Sequence, residues 1–365
     1  MSIRIIIAGG GTGGHIFPAI AIANALKKID SSIEILFVGA KGKMEMEKVP
    51  QAGYAIEGLD IAGYNRSSLI KNFSLPLKLV KSFLQVRKIF RDFKPSAVVG
   101  VGGYSSFPVL RFAQMKDVPV FIHESNSFAG KSNQMLGSKA TRVFVASDGM
   151  EKFFKKEKLQ VTGNPVRPAI RNVKHVNREE AISFFGLKPN QKILLVVGGS
   201  LGARSINEAI ANGLDKIAAA DLQLIWQTGK TNAESWKQAA TGKPGIWVND
   251  FINQMEFAYA AADIVISRAG AMAIAELCVV GKPVVFVPYP YAAEDHQTVN
   301  AMNLVNKDAA LMVKDSEVKE KLLPAIIELN KDVELQNELE RNINKYAVYD
   351  ADEQVAKEII KCLKK

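Results

Sequence analysis

Short, uniformly apolar runs alternate along the whole chain with longer stretches in which apolar residues recur every three or four positions. The runs at 4–8, 34–38, 97–101, 118–123, 142–145, 193–197, 223–227, 264–267 and 283–287 predict strands. Most are apolar throughout rather than alternating, the pattern of strands buried on both faces of a parallel sheet. The intervening stretches predict the connecting helices, so the fold class is α/β.

The opening unit recurs half a chain later. "IRIIIAGGGTGGH" at 3–15 and "KILLVVGGSLGAR" at 192–204 both pass from an apolar strand through glycines into a helix. At 365 residues the chain is too long for one ordinary core. Two doubly wound domains, 1–163 and 164–347, account for the repeat, with "TGNPVRP" at 162–168 as the linker. Ligands of such sheets bind beyond the carboxyl ends of the strands, so facing domains would enclose a cleft walled by the glycine turns.

Positions 9–14 hold five glycines and Thr12. They satisfy GxGxxG, but a dinucleotide site needs a carboxylate after the second strand for the ribose diol. That strand ends in Gly39, Ala40 and Lys41, and a GxxxxGK[ST] phosphate loop fails at His15. No nicotinamide, flavin or other cofactor is expected. A helix N-terminus with bare backbone N–H groups still binds anions and polar oxygens. The turn at 198–205 repeats it with the Ser200 hydroxyl, and "GVGGYSSFP" at 100–108 is a third. One such turn is equally well read as close strand-to-helix packing; three at strand ends favour a phosphorylated or sugar ligand.

Pro18 belongs in a first helical turn, which places the helix start near residues 14–17 and His15 at its mouth. The positive helix end disfavours imidazolium and keeps the ring able to accept a proton. A histidine that merely caps its own turn is the plainer alternative. In the second half, Glu276 shares a helix face with Met272, Ala273 and Val280, and a charge on an apolar face needs a partner. A ribose diol there, with diphosphate at the helix starts near Gly270 and Ser200 and a cation such as Arg167, completes a nucleotide site. Gln297 opens another helix, where it either holds sugar hydroxyls or caps the turn. No HExxH, paired histidines or DxD is present, so no metal site is expected.

Charge widens the list of partners. The balance of 47 Lys+Arg against 37 Asp+Glu, a net +10, suits nucleic acid, an acidic membrane surface or a phosphorylated substrate. The two cysteines, Cys278 and Cys362, form neither zinc spacing nor a disulfide framework, which points to a reducing cytoplasm. "MSIRIII" runs straight into a strand without signal-peptide features. No apolar run reaches the roughly 18 residues that span a bilayer, so membrane association is expected to be peripheral.

Taken together, "GGGTGGHIFPAIAIA", "GVGGYSSFP", "HESNSFAGKSN", "TGNPVR", "GGSLGARSIN", "SRAGAMAIAEL" and "DHQTVNA", in this order, make the chain resemble one family along essentially its whole length. These are the bacterial peptidoglycan glycosyltransferases that add N-acetylglucosamine to lipid I to make lipid II. The resemblance implies a GT-B fold of two Rossmann-like domains, with a C-terminal helix at 348–365 returning to the first. It implies a metal-independent, inverting transfer at the cytoplasmic face of the inner membrane. By motif, Thr12, Gly13, Gly14, Asn126, Arg167, Ser200, Ile252, Gln297 and the run Ala271, Met272, Ala273, Ile274, Ala275 and Glu276 would contact UDP-N-acetylglucosamine. Phe251 and Ile252 would form the uracil pocket, Ile252 through its backbone, and Glu276 would take the ribose hydroxyls. Gly102, Gly103 and Tyr104 would meet the acceptor and its diphosphate. His15 is the first choice for the base that deprotonates the acceptor hydroxyl and Glu124 the second; His15 serving mainly the acceptor diphosphate stays open.

A lipid-linked acceptor requires contact with a membrane. Along 77–93, Leu79, Phe83, Val86, Phe90 and Phe93 form one stripe, read as the core side. The second face mixes Leu77, Val80 and Leu84 with Lys81, Arg87, Lys88 and Arg91, within a stretch 71–94 whose seven basic residues face one acid, Asp92. Such a face suits an anionic bilayer surface; a solvated basic face is the alternative. Other cell-wall synthesis proteins are expected partners. The rival readings are a GT-B enzyme with a diacylglycerol or sterol acceptor, a UDP-sugar epimerase, and a nucleic-acid binder. The last lacks a reading motif or aromatic platform, so no nucleic acid is expected.

Overall fold

The computed structural model describes residues 3–63, 75–199 and 201–364; Ser200 and the part of the basic stretch before residue 75 lie outside the described residues. The chain divides into two compact units, Met1–Val166 with Asp350–Lys365, and Arg167–Tyr349. The first division falls inside the 162–168 linker, three residues past the expected bound of 163, and the second two residues past 347. Gly163 and Asn164 stay with the first unit because His123 Nε2 lies 3.4 Å from Gly163 O and Asn164 Nδ2 donates to Ser125 O at 2.9 Å. Tyr349 stays with the second, its carbonyl accepting from Arg171 Nη1 at 3.0 Å.

In the first unit the strands are β1 (Arg4–Ala8), β2 (Glu34–Ala40), β3 (Ala55–Leu59), β4 (Ala97–Gly100), β5 (Val120–Glu124), β6 (Arg142–Val145) and β7 (Leu159–Val161). They form a parallel sheet in the order β3-β2-β1-β4-β5-β6-β7. The second unit holds β8 (Lys192–Val197), β9 (Leu222–Gln227), β10 (Ile246–Asn249), β11 (Ile264–Ser267), β12 (Val284–Phe286) and β13 (Leu311–Met312). Their order is β10-β9-β8-β11-β12-β13, again parallel. All nine strands expected from apolar runs are present, with ends shifted by a residue or two. The four not expected, β3, β7, β10 and β13, are the four sheet edges. An edge strand pairs on one side only and is half exposed, so no continuous apolar run marks it: β3 reads "AIEGL" and β10 "IWVN".

The helix Gly13–Ile29 starts slightly earlier than Pro18 suggested, with Thr12 at its extended N-cap and Lys27 and Lys28 in its last turn. Its Ile16, Ile22 and Leu26 face pairs with Val355, Ala356, Ile359 and Ile360 of the helix Ala351–Leu363. Each fully buried aliphatic side chain there contributes about 1.5–3 kcal/mol. The C-terminal segment is thus part of the first unit's core, pinned further by Arg142 Nε bonding Glu358 Oε1 at 3.2 Å.

The helix Leu75–Phe93 departs from its expected stripe. Val86 and Phe90 are buried, and Phe83 and Phe93 pack against that core, but Leu79 is exposed and Ser82 is buried instead. Ser82 Oγ donates to Leu79 O at 2.6 Å, which satisfies the hydroxyl inside the helix. The core contact therefore begins at Ser82; residues 76–81 are exposed, with Lys81 Nζ tied to Asp60 Oδ2 at 3.0 Å.

Candidate functional site

In the first unit the chain leaves β1 and β4 toward opposite sides of the sheet. The loops must part at such a switch, and that opens the crevice where ligands of these sheets bind. Both glycine turns start from it, and Gly10 N–H donates to Gly102 O at 3.3 Å. Gly102 has φ +97°, and a Cβ there would stand 2.8 Å from His15 Nε2, so only glycine lets the second turn pass the imidazole. Gly103 and Tyr104 follow, both half-buried.

His15 lies in the first turn of Gly13–Ile29, half-buried, with Thr12 exposed before it and Gly13 and Gly14 half-buried. Its Nδ1 is 3.0 Å from Gly10 O and 3.4 Å from Thr12 Oγ1. A carbonyl only accepts, so in the neutral ring Nδ1 carries the proton and Nε2 the lone pair. That is the arrangement a general base needs.

Glu124 ends β5 and is 4% exposed. Oε1 accepts from Asn126 N–H at 3.0 Å and Asn126 Nδ2 at 3.3 Å. Oε2 accepts from Asn133 Nδ2 at 2.8 Å and Gly130 N–H at 3.1 Å. Four donors meet the carboxylate's roughly four acceptor positions, which makes it an anchor for the loop carrying Asn126.

Its neighbour His123 is fully buried, and burial lowers its pKa from 6.5 to about 4, the Gly163 carbonyl opposing and the His15 charge adding. The native state therefore binds this proton more weakly than the unfolded chain. Stability is expected to fall as pH drops from about 6.5 toward 4, by roughly 3 kcal/mol from this group. Urea midpoints at pH 7 and 4.5 should differ less in His123→Gln than in the parent; an equal difference would remove His123 as the cause.

In the second unit the switch lies between β8 and β11. The turn after β8 closes with Gly202 N–H donating to Gly199 O at 3.0 Å and leads into the helix Arg204–Asn212. After β11, Gly270 caps the helix Ala271–Val280, whose Ala271, Met272, Ala273, Ile274 and Ala275 are half-buried. Glu276 on that helix is 7% exposed. Arg167 grips it with Nε to Oε1 at 2.7 Å and Nη2 to Oε2 at 3.0 Å, and the Tyr259 hydroxyl donates to Oε2 at 3.4 Å. Burial, then the Glu276 charge, push the Tyr259 hydroxyl well above its usual pKa, so it stays a donor. The partner that a charge on this helix face required is Arg167.

Ile252 is buried and Phe251 exposed beside it; Ile252 N–H donates to Gln227 Oε1 at 3.2 Å. Gln227 Nε2 reaches Gly199 O at 3.3 Å, joining the Ile252 segment to the glycine turn. Backbone recognition of a base by Ile252 would require Gln227 to yield that N–H. Gln297, in the first turn of His296–Val305, accepts from Tyr289 N–H at 2.9 Å. Ser200 lies outside the described residues. Among the described residues, no group of three or more His, Cys, Asp or Glu side chains is placed to hold a metal ion.

Four residues that no motif reading singled out shape these sites: Glu45, Gln227, Tyr259 and Arg268. Arg268 Nη1 donates to Val287 O and Pro288 O, both at 3.1 Å, and to Asp315 Oδ1 at 2.6 Å, tying the turn before Ala271 to the end of β12. Glu45, Gln227 and Tyr259 are distinguished only by their burial, and the half-buried Arg268 only by the three partners its Nη1 meets.

The N-terminal domain of glycosyltransferase family 28 matches residues 5–145, and the C-terminal domain of that family matches residues 193–355. A Phocaeicola vulgatus protein named UDP-N-acetylglucosamine–N-acetylmuramyl-(pentapeptide) pyrophosphoryl-undecaprenol N-acetylglucosamine transferase is 54% identical, covering 99% of this chain and 96% of its own. The chain belongs to glycosyltransferase family 28. A Parabacteroides distasonis family member of the same name is 51% identical over 99% of both chains. The solved structure of Acinetobacter baumannii MurG superposes with a TM-score of 0.80 at 28% identity, covering 98% of this chain and 99% of that one. The two Rossmann-like units described above are the architecture of this family.

Proposed function

We propose that the chain transfers N-acetylglucosamine from UDP-N-acetylglucosamine to the 4-hydroxyl of the muramoyl sugar of lipid I, giving lipid II. The observation that carries this is identity above half, along nearly all of both chains, with a relative bearing that activity as its name. The residues fit the chemistry. The acceptor oxygen bonds to the anomeric carbon from the face opposite the leaving group, while the bond from that carbon to the diphosphate oxygen breaks. His15 Nε2 takes the hydroxyl proton, and UDP leaves with the electron pair. The helix starts at Arg204 and Ala271, with Arg167, meet the charge growing on the diphosphate. Glu276 takes the ribose hydroxyls, Phe251 and Ile252 the uracil, and Gly102, Gly103 and Tyr104 the acceptor diphosphate. Disaccharide formation from labelled UDP-N-acetylglucosamine and a lipid I analogue, with EDTA present, tests the reading. No product would sink it, inhibition by EDTA would sink its metal independence, and preferred transfer to diacylglycerol would move the acceptor.

The enzyme works at the cytoplasmic face of the inner membrane as a peripheral protein. No helix among the described residues is long and apolar enough to cross a membrane. Leu77, Val80 and Leu84 stand 77%, 62% and 61% exposed on Leu75–Phe93, beside exposed Lys81, Arg87, Lys88 and Arg91. Apolar side chains rimmed by cations recognise an anionic surface, at about 1 kcal/mol per basic residue. Replacing Arg87, Lys88 and Arg91 by Ser should weaken binding to phosphatidylglycerol vesicles about a hundredfold at low salt, with little effect on neutral vesicles. Equal binding to both vesicle types would place the membrane contact elsewhere.

A further inference from the structure

Glu45 opens the helix Glu45–Gln51 and is 1% exposed. A glutamate at a helix start ordinarily faces water, and sealing its charge away is costly unless both oxygens are bonded. Here they are. Oε2 accepts from Gly11 N–H at 2.8 Å, and Oε1 from Ala40 N–H at 2.9 Å at the end of β2. The glycine turn is moulded around this carboxylate: a Cβ at Gly10 would overlap the carboxylate itself, and one at Gly39 would overlap its Cγ. Gly10, at φ +147°, is the residue whose carbonyl meets His15 Nδ1 at 3.0 Å and whose N–H donates to Gly102 O at 3.3 Å. One buried side chain therefore holds the peptide that orients the imidazole.

We infer that Glu45 is a positioning residue for the transfer reaction. By gripping Gly11 N–H it sets the direction of the Gly10 carbonyl, and through it the tautomer and aim of His15. The inference rests on His15 acting as the base, but its first readout does not.

Glu45→Gln keeps the volume but turns an amide NH2 toward one of the two N–H groups, so one bond is lost. In the full chain, nitrogen NMR of His15 should report the Nδ1–H form in the parent and a mixture of tautomers in Glu45→Gln. With UDP-N-acetylglucosamine and a lipid I analogue, kcat should fall roughly ten- to hundredfold. KM for UDP-N-acetylglucosamine should stay within about twofold. Added to His15→Ala, the Gln substitution should cause no further loss. A folded Glu45→Gln protein with the parent His15 signal overturns the inference, as does a loss fully additive to that of His15→Ala. An active His15→Ala enzyme overturns the base instead, and the ring signal then decides Glu45 by itself. Should Glu45→Gln fail to fold, Gly39→Ala displaces Glu45 from the β2 side at a backbone conformation any residue adopts, with the same expectations.

Discussion

His15→Ala is expected to lower kcat by about a thousandfold while UDP affinity stays within about twofold of the parent. The two effects separate because the groups assigned to UDP, Ile252 and Glu276 among them, belong to Arg167–Tyr349, whereas His15 belongs to the other unit. A positioned base contributes about 10²–10⁴ to a proton transfer, and the Nδ1 contact with Gly10 O leaves the lone pair of the neutral ring on Nε2. Single-turnover transfer measures the first quantity, and calorimetric titration with UDP the second. Residual activity within tenfold of the parent would remove His15 from the chemistry. Glu124 would be a poor heir, since Asn126, Gly130 and Asn133 already engage both of its oxygens.

Glu276→Gln is expected to lower kcat/KM for UDP-N-acetylglucosamine by about 10²–10³, mostly through KM. Two ribose hydroxyls donating to a charged carboxylate are worth about 1.5–3 kcal/mol each. A carboxylate offers about four acceptor positions, of which the Arg167 fork uses two and the long Tyr259 bond a third. The diol can therefore dock by displacing Tyr259 alone, with Arg167 still holding Glu276 in place. The Gln variant loses more than charge: its NH2 group opposes the guanidinium, so Arg167 swings away from its pre-set position. Initial rates across a range of UDP-N-acetylglucosamine concentrations, at saturating acceptor, check this. An unchanged KM would show that the ribose binds elsewhere.

The interior of both sheets was legible because a strand paired on two sides and covered on two faces is apolar at most positions, with the polar exceptions bonded. The edges β3, β7, β10 and β13 obey no such demand and left no run to read. The glycine turns were legible for a related reason, since bare backbone at a strand end is rare without purpose. His15 stood out by following one of them, and Glu276 by occupying an apolar helix face.

Glu45 and Gln227 carried no such mark. Glu45 in "MEMEKVP" reads as a solvated helix residue, and nothing local says that Gly11 and Ala40 will turn their N–H groups toward it. Leu79 was misplaced because helical periodicity gives direction around the axis but not where along it the core begins; Ser82 and Val86 mark that point.

The amino-acid sequence by itself determined the repeated strand–glycine–helix units, the α/β class, and the family to which the chain belongs, since these depend on residue types at short spacing. Tertiary structure alone decided which polar residues are buried, and so which are partners: Arg167 on Glu276, four donors on Glu124, and Glu45 beneath the turn that aims His15. Burial is a property of neighbours brought together from distant positions, and a polar side chain carries no local sign of which neighbours will exclude its water.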